Sequence, residues 1–441
     1  MSSFEHLWFP FTCTEDLRIF PPLTIERGEG MYVYDTQDRR YLDAVGSWWV
    51  SVLGHNHPRI SSAIKAQIDK IEHVLMAGCI ARTTAELTER LSEIAPKNLT
   101  RTFYSDNGST SVEIGLKIAL QYWAIRGEKR TDFVSFTGGY HGDTLGAMSV
   151  GGIPSYHSLF HDRFKKQLFA QGPYCYRCPC GKVKETCEAQ CMDSLEEILR
   201  RQCATVAACI FEPMVQGAAG MRVYPAKVLE RIFTLCEKYE VLTIADEVAM
   251  GFGRTGTMFA CEHAARSPDI MCLAKGLTGG YLPMAVTLVS EGIYREFSGD
   301  FLSGREFQHG HTFTGNPLAA SAARETLALF KELGIPSSLQ SIGAYFRKEL
   351  CRFDEFEIVG DIRCIGTVGA LELVADRKTK ANLDARKRIP MRIAHKARDY
   401  GILMRPLGDV IYFIPAYCIS EEQIDEMFEG TRRAIQDVVY S

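Results

Sequence analysis

No run in this chain approaches the roughly 20 consecutive apolar residues that a membrane-spanning helix needs, and that absence excludes ordinary helical spans. An excess of one charge is missing too. Fifty Lys and Arg stand against 54 Asp and Glu, a net charge of −4, so nothing marks the chain for nucleic acid or an anionic membrane surface. The short basic runs, Arg377-Lys378 with Lys380 and Arg386-Lys387-Arg388, read as solvated faces. The opening residues, Met1 to Trp8, lack a basic stretch followed by an apolar one. No secretory signal is expected there, and a cytoplasmic protein is. Internal repeats and low-complexity linkers are absent as well.

Apolar residues are plentiful. They make up 46% of 441 residues, enough to bury a large core, with one large and one small domain as the prior for this length. Cysteine is also abundant, but 15 is an odd number in a long chain. Without an export signal, most of these read as reduced thiols.

The middle of the chain alternates short β-branched runs with helical patterns, which predicts a mostly parallel sheet covered on both faces. Strands are expected at Phe133–Phe136, Ala207–Phe211, Val241–Ala245, Ile270–Ala274 and Ala285–Val289, with helices over 110–126 and 228–239. Beyond a helix at 319–333 the chain changes to a smaller α+β region. Strands are expected there at 366–373 and 410–414, and a closing helix at 421–439. The strand pair at 30–34 and 40–43 is expected to pack on that small domain.

Two of these strands end in groups that could carry chemistry. The apolar run to Ala245 is followed by Asp246-Glu247, and the next strand by Lys275-Gly276. Ligands of open α/β sheets sit at the carboxyl ends of the strands, so a carboxylate and an amine would reach one edge. Either alone is as well explained by a strand-end ion pair. Gly108-Ser109, opening a helix, offers free N–H groups and a hydroxyl for a phosphate, although helix capping alone would account for Ser109. The loop Gly138-Gly-Tyr-His-Gly-Asp-Thr144 adds an aromatic ring at the same edge. A phosphate cradle, a flat ring, a carboxylate and an amine together suit a phosphorylated pyridine aldehyde.

At this point the motifs carry a resemblance. Gly108-Ser109, Tyr140-His141-Gly142-Asp143, Asp246-Glu247-Val248, Gly253-Arg-Thr-Gly256, Ala274-Lys275-Gly276 and Thr312-Phe-Thr-Gly-Asn316, in that order, resemble the class III aminotransferases over nearly the whole chain. The resemblance implies an α/β fold of type I with a mostly parallel seven-stranded sheet. Residues 59–325 would form the large pyridoxal-phosphate-binding domain, and 1–58 with 326–441 the small α+β domain. Lys275 would hold pyridoxal 5'-phosphate as a Schiff base and shuttle the proton, Asp246 would pair with the pyridinium nitrogen, and Tyr140 would stack on the ring. Gly108 and Ser109 would bind the phosphate. His311 and Thr312 would join the cofactor set, Thr312 by reaching the phosphate of the other subunit, so that a homodimer shares its active sites.

Finer features resemble those members of the family that aminate 8-amino-7-oxononanoate in biotin biosynthesis. They are His6-Leu-Trp-Phe-Pro-Phe11, Ser47-Trp48-Trp49, Leu120-Gln-Tyr-Trp123, His309-Gly-His-Thr312 and Arg405-Pro-Leu-Gly408. Arg405 would grip the acceptor's carboxylate through its planar fork. Trp48, Tyr140, Gly310 and Tyr412 would complete the acceptor site; for Trp48, core packing explains the residue equally well. The donor implied is S-adenosylmethionine or lysine. Phe11, where the adenosylmethionine type usually carries a tyrosine, tips the sequence toward lysine. Gly217 stands where ω-amino-acid relatives place a gating glutamate, which argues against an arginine gate. Another class III aminotransferase with a different acceptor is the competing assignment.

Two rival motifs remain. Gly251-Phe-Gly-Arg-Thr-Gly256 spells a dinucleotide fingerprint, but it trails its strand and runs into a poor helix start. Cys175, Cys178, Cys180, Cys187 and Cys191 could be metal ligands, yet their spacing fits no standard zinc template and no histidine lies among them. Thiols without a metal are the expectation.

Overall fold

The computed structural model describes residue 4 and residues 6–161, 165, 167–183 and 186–440. Part of the signal-peptide reading, at residues 1–3 and 5, lies outside the described residues. An antiparallel meander comes first: β1 (Ile25–Glu29), β2 (Tyr32–Asp35) and β3 (Arg40–Asp43). The β2–β3 turn is fixed by Asp35, whose carboxylate accepts the backbone N–H groups of Gln37 and Arg39 at 2.9 and 3.0 Å.

The large sheet takes seven strands: β4 (Leu99–Ser105), β5 (Asp132–Phe136), β6 (Leu168–Ala170), β7 (Val206–Phe211), β10 (Leu242–Asp246), β11 (Ile270–Leu273) and β12 (Ala285–Ser290). A two-residue hairpin, β8 (Val215–Gln216) with β9 (Arg222–Val223), follows β7. The sheet order is β4-β12-β11-β10-β7-β5-β6. β12 runs antiparallel to both neighbours and the other pairs are parallel.

β7 and β10 are buried at every position, as parallel strands covered on both faces must be. Alternate side chains divide between the two covers. Ile210 and Ile244 pack with Val112 and Ile118 of the helix Gly108–Ile125. Cys209, Phe211 and Ala245 pack with Leu229 and Phe233 of the helix Ala226–Lys238. At roughly 25 cal/mol per Å2 of apolar area removed from water, this double burial is the main force holding the sheet together.

The helix Pro317–Glu332 leaves the sheet and packs on the helices Pro58–Ile68 and Arg82–Ile94. β13 (Val359–Ile365), β14 (Val368–Leu373) and β16 (Val410–Phe413) then form an antiparallel sheet, while β15 (Ile402–Leu403) runs parallel to β3. That pairing, with the Tyr32 hydroxyl donating to Glu426 at 2.7 Å, joins the first 45 residues to the closing helix Glu421–Val439. The closing helix starts at a capping box between Ser420 and Gln423.

Candidate active site

β10 and β11 are parallel neighbours, with Asp246 opposite Cys272. Asp246 and Lys275, three residues beyond Cys272, therefore leave the same edge of the sheet. Both line a cavity of about 680 Å3, together with Gly108, Ser109, Tyr140, Glu212 and Val248.

Each charged group on its floor has a distinct environment. Asp246 Oδ2 lies 2.8 Å from His141 Nδ1, and its Oδ1 accepts the Val248 N–H at 3.1 Å. An ionised carboxylate only accepts, so the proton of this contact sits on Nδ1. Glu212 accepts the N–H groups of Tyr140 at 2.9 Å and Gly217 at 2.8 Å, and burial pushes its carboxyl up to about 7. Lys275 is half-buried on the cavity floor, and desolvation pulls its amine down to about 8 against the opposing pull of Asp246 and Glu212. Its backbone is left-handed, at φ 49°. The Nζ stands 4.5 Å from the centre of the Trp49 ring.

The helix Gly108–Ile125 begins at the cavity, capped by Asn107, whose side chain accepts the Thr110 N–H at 3.0 Å. The N–H groups of Gly108 and Ser109 have no partner among the described residues, which leaves two donors at the positive end of the helix dipole. Glycine is required on both sides of this cradle. A Cβ on Gly108 would lie 2.5 Å from Val248 Cγ1, and one on Gly142, at φ 120°, would lie 2.3 Å from Ser109 Oγ. Ser109 Oγ is fixed by Thr144, 2.6 Å from its hydroxyl, and Thr144 in turn donates to Glu113 at 2.6 Å. Tyr140 donates to Asp143 at 2.7 Å and stacks on His157. His157 and Tyr140 hold the Asp143 carboxyl below its ordinary range despite burial.

The rim is built differently. Gly46, Ser47, Trp48 and Trp49 are all left-handed, at φ 52°, 47°, 68° and 74°, a strained run that persists only where its surroundings enforce it. The buried Arg254 is one such constraint. It donates to the carbonyls of Ser51 at 2.7 Å and Pro415 at 2.6 Å, tying the turn to the C-terminal segment. Gly46 is needed because a Cβ there would meet Ile414 O at 2.7 Å. The turn delivers Trp49 to the cavity wall, while Trp48 remains 40% exposed.

Placed on this frame, the residues singled out in the sequence divide. Lys275, Asp246, Tyr140, Gly108 and Ser109 share the cavity. Trp48 and Arg405 meet outside its lining, with the guanidinium 5.3 Å from the indole centre and donating to Phe11 O at 2.6 Å. Tyr412 is buried behind Trp49, edge-on at 6.0 Å, rather than on the cavity surface. Gly310, His311 and Thr312 lie on a segment that does not line the cavity of the same chain, with Gly310 and Thr312 exposed.

Trp49, Glu212, Val248 and Glu113 were not assigned roles from the sequence. The signal for Glu212 was its place directly after β7, equivalent to that of Asp246 at the end of β10. Gly217 has a local explanation: a Cβ there would stand 3.1 Å from Trp49 Cζ3, so a glutamate would displace the indole.

The two rival motifs lie elsewhere in function. Gly251–Gly256 is a series of turns followed by the 3-10 turn Ala260–Ala264, with no helix N-terminus of the dinucleotide type. Among the described residues no group of three or more His, Cys, Asp or Glu is gathered to hold a metal ion.

The arrangement fits pyridoxal phosphate: two open donors for the phosphate, a buried carboxylate for the ring nitrogen and a half-buried low-pKa amine for the aldehyde. Known proteins agree with this chemistry. The chain is 43% identical over 436 residues to the adenosylmethionine-8-amino-7-oxononanoate aminotransferase of Geobacter sulfurreducens, covering 98% of this chain and 96% of the relative. The crystal structure of the same-named enzyme from Methanocaldococcus jannaschii superposes with a TM-score of 0.93 at 40% identity, covering 99% of this chain and 98% of that one. An amine transaminase from an uncultivated Pseudomonas species, in its PLP-bound form, gives a TM-score of 0.94 at 35% identity, with 98% and 99% covered. The aminotransferase class-III profile matches residues 15–435, and the chain belongs to that family.

Proposed function

We propose that this chain is a pyridoxal-phosphate-dependent aminotransferase converting 8-amino-7-oxononanoate to 7,8-diaminononanoate in biotin biosynthesis. One observation carries the chemistry: Asp246 and Lys275 leave adjacent parallel strand ends into a cavity that also holds the open N–H groups of Gly108 and Ser109. The acceptor follows from relatives 39–43% identical over nearly their whole length that bear that substrate in their name.

When bound, pyridoxal phosphate supplies an aldehyde that captures amines and a ring that draws electrons from the substrate carbon. Lys275 Nζ would hold that aldehyde. With a pKa near 8 it is suited to take a proton from the donor carbon and return it at the acceptor carbon near neutral pH. Asp246, held by His141, keeps the ring nitrogen protonated. A charge pair at contact distance is worth roughly 4 kcal/mol at an effective dielectric near 20, about 3 pKa units. Tyr140 and Val248 supply a flat and an apolar wall. Glu212 holds the Tyr140 and Gly217 backbones in register.

Arg405 receives the acceptor's carboxylate at the rim, with Trp48 beside it and Gly310 of a partner copy shaping the route for its alkyl chain, while Tyr412 acts from behind by holding the Trp49 ring. His311 and Thr312 serve the cofactor of a partner copy, which makes the working unit a homodimer with shared sites. A cytoplasmic setting suits the reduced thiols; among the described residues no helix is long and apolar enough to cross a membrane.

The relatives' name also pairs the acceptor with adenosylmethionine, and we assign that donor here. Phe11 is the observation favouring lysine instead: it packs against Trp48 and Tyr156 and brings no hydroxyl to Asp143, which Tyr140 and His157 already satisfy. Purified enzyme offered 8-amino-7-oxononanoate with each donor separately, the product read by mass, tests both parts. Diaminononanoate with adenosylmethionine but not lysine is expected. Product with lysine alone reverses the donor, and product with neither removes the acceptor.

A further inference from the structure

A second cleft, of about 770 Å3, lies between the 174–183 loop, the β8–β9 hairpin and the strand β13. Among the described residues six basic side chains line it, Arg177, Lys182, Arg222, Arg347, Arg363 and Lys380, against one acid, Asp361. Some of this charge is answered. Arg363 bonds Asp361 at 3.0 Å and Glu372 at 2.6 Å, and Arg177 bonds Glu372 at 2.9 Å. The rest is not.

Arg222 makes no side-chain hydrogen bond or ion pair among the described residues. Its guanidinium lies 3.9 Å from the Tyr174 ring centre, and its Nε is buried without a partner. Burial pulls its pKa down, with the nearby Arg363 charge adding to the effect, yet a guanidinium stays charged in proteins. Arg363 is only 8% exposed, and its Nε is also buried without a partner, as is the Tyr176 hydroxyl. Lys182 has no partner among the described residues, and Arg347 donates only to Cys364 O at 3.0 Å. Buried donors left open cost stability, and the Arg222 terminal nitrogens are likewise without a hydrogen-bond partner among the described residues.

We propose that this cleft binds a multivalent phosphoryl anion, with Arg222 as its principal ligand and Arg363, Tyr176 and Arg347 around it. The donors surround one volume, whereas a surface patch would spread them over a face. Arg222 and Arg347 present planar forks of the kind that bind phosphate oxygens in pairs. The cleft is separate from the helix cradle at Gly108, but the β8–β9 hairpin connects the two regions. Gly217, just after β8, donates to Glu212 at 2.8 Å, and Gly220, just before β9, accepts from Arg363 at 2.8 Å. The occupant is either a free phosphate or pyrophosphate, or the phosphoryl group of a nucleotide.

Calorimetric titration of the cofactor-loaded enzyme tests this without any substrate, so it stands or falls apart from the aminotransfer assignment. With the helix cradle already filled, pyrophosphate is expected to bind once per chain and to survive sodium chloride at matched ionic strength. Arg222→Gln should weaken it roughly 10- to 100-fold, the range of a lost charge-assisted contact, and Tyr176→Phe by a smaller factor. ATP binding tighter than pyrophosphate assigns the nucleotide source, and equal affinity assigns the free anion. No saturable binding, citrate binding tighter than pyrophosphate, or unchanged affinity in Arg222→Gln overturns the proposal. Should that variant fail to fold, unchanged affinity in both Arg347→Gln and Tyr176→Phe overturns it equally.

Discussion

The floor of the active-site cavity and its rim are built on opposite plans. On the floor, the buried Asp246 and the half-buried Lys275 come from adjacent strand ends held by a close-packed sheet. At the rim, Phe11, Trp48 and Arg405 come from three distant segments and touch through a carbonyl and an exposed indole. The difference teaches a division of labour. On the proposed function, rigid strand ends set the type of reaction and the looser rim chooses the acceptor.

The comparison can be broken most sharply on the floor. Lys275→Ala should keep the fold yet lose at least about 10^4-fold in transamination, since it removes the group that both attaches the cofactor and moves the proton. Activity within tenfold of the parent would end its role. Asp246→Asn should lower kcat by roughly 10^3-fold while cofactor still binds, the kinetic equivalent of losing roughly 4 kcal/mol of charge pairing. Steady-state rates and the cofactor absorbance of the same sample check both parts.

Rim changes should fall on KM instead. Arg405→Lys keeps the charge but loses the fork, and should raise KM for 8-amino-7-oxononanoate about 10- to 50-fold with kcat changed by a small factor. An equal fall in kcat would mean that the rim takes part in the chemistry and would erase the distinction.

The smallest effect is in pH. Because burial depresses the Lys275 amine to about 8, its neutral, reactive form gains about tenfold per pH unit below 8 and levels above it. Cofactor attachment to the stripped protein, followed by absorbance, should therefore plateau above pH 8. A rate still climbing toward pH 10 would mean that the amine is exposed in the stripped protein.

Much of the floor was legible in the sequence because its signals are local. An apolar run ending in Asp246, another ending in Lys275 and a Gly-Ser turn opening a helix each need only a few consecutive residues. The strand expected at 241–245 forms at Leu242–Asp246, so the aspartate belongs to the strand itself. What escaped notice depends on distant partners. His141 reaches Asp246 across 105 positions, Glu212 reaches Tyr140 across 72, and Arg254 reaches Ser51 across 203. No periodicity announces such contacts.

The Trp pair shows the same limit. Its sequence pointed to Trp48 for the acceptor site and gave no role to Trp49, which a left-handed backbone from Gly46 to Trp49 turns toward the cavity. Nothing in Ser-Trp-Trp encodes that turn without the carbonyl that crowds Gly46 and the arginine that fixes Ser51. The basic cleft was invisible for a related reason: its cations come from five stretches that are unremarkable one by one.

The most direct test of the floor is chemical. Borohydride reduction of the cofactor-loaded enzyme, digestion and mass mapping should find the pyridoxyl group on the peptide bearing Lys275 and on no other lysine. A pyridoxyl label on a different lysine, or a label of equal yield in Lys275→Ala, would contradict the account.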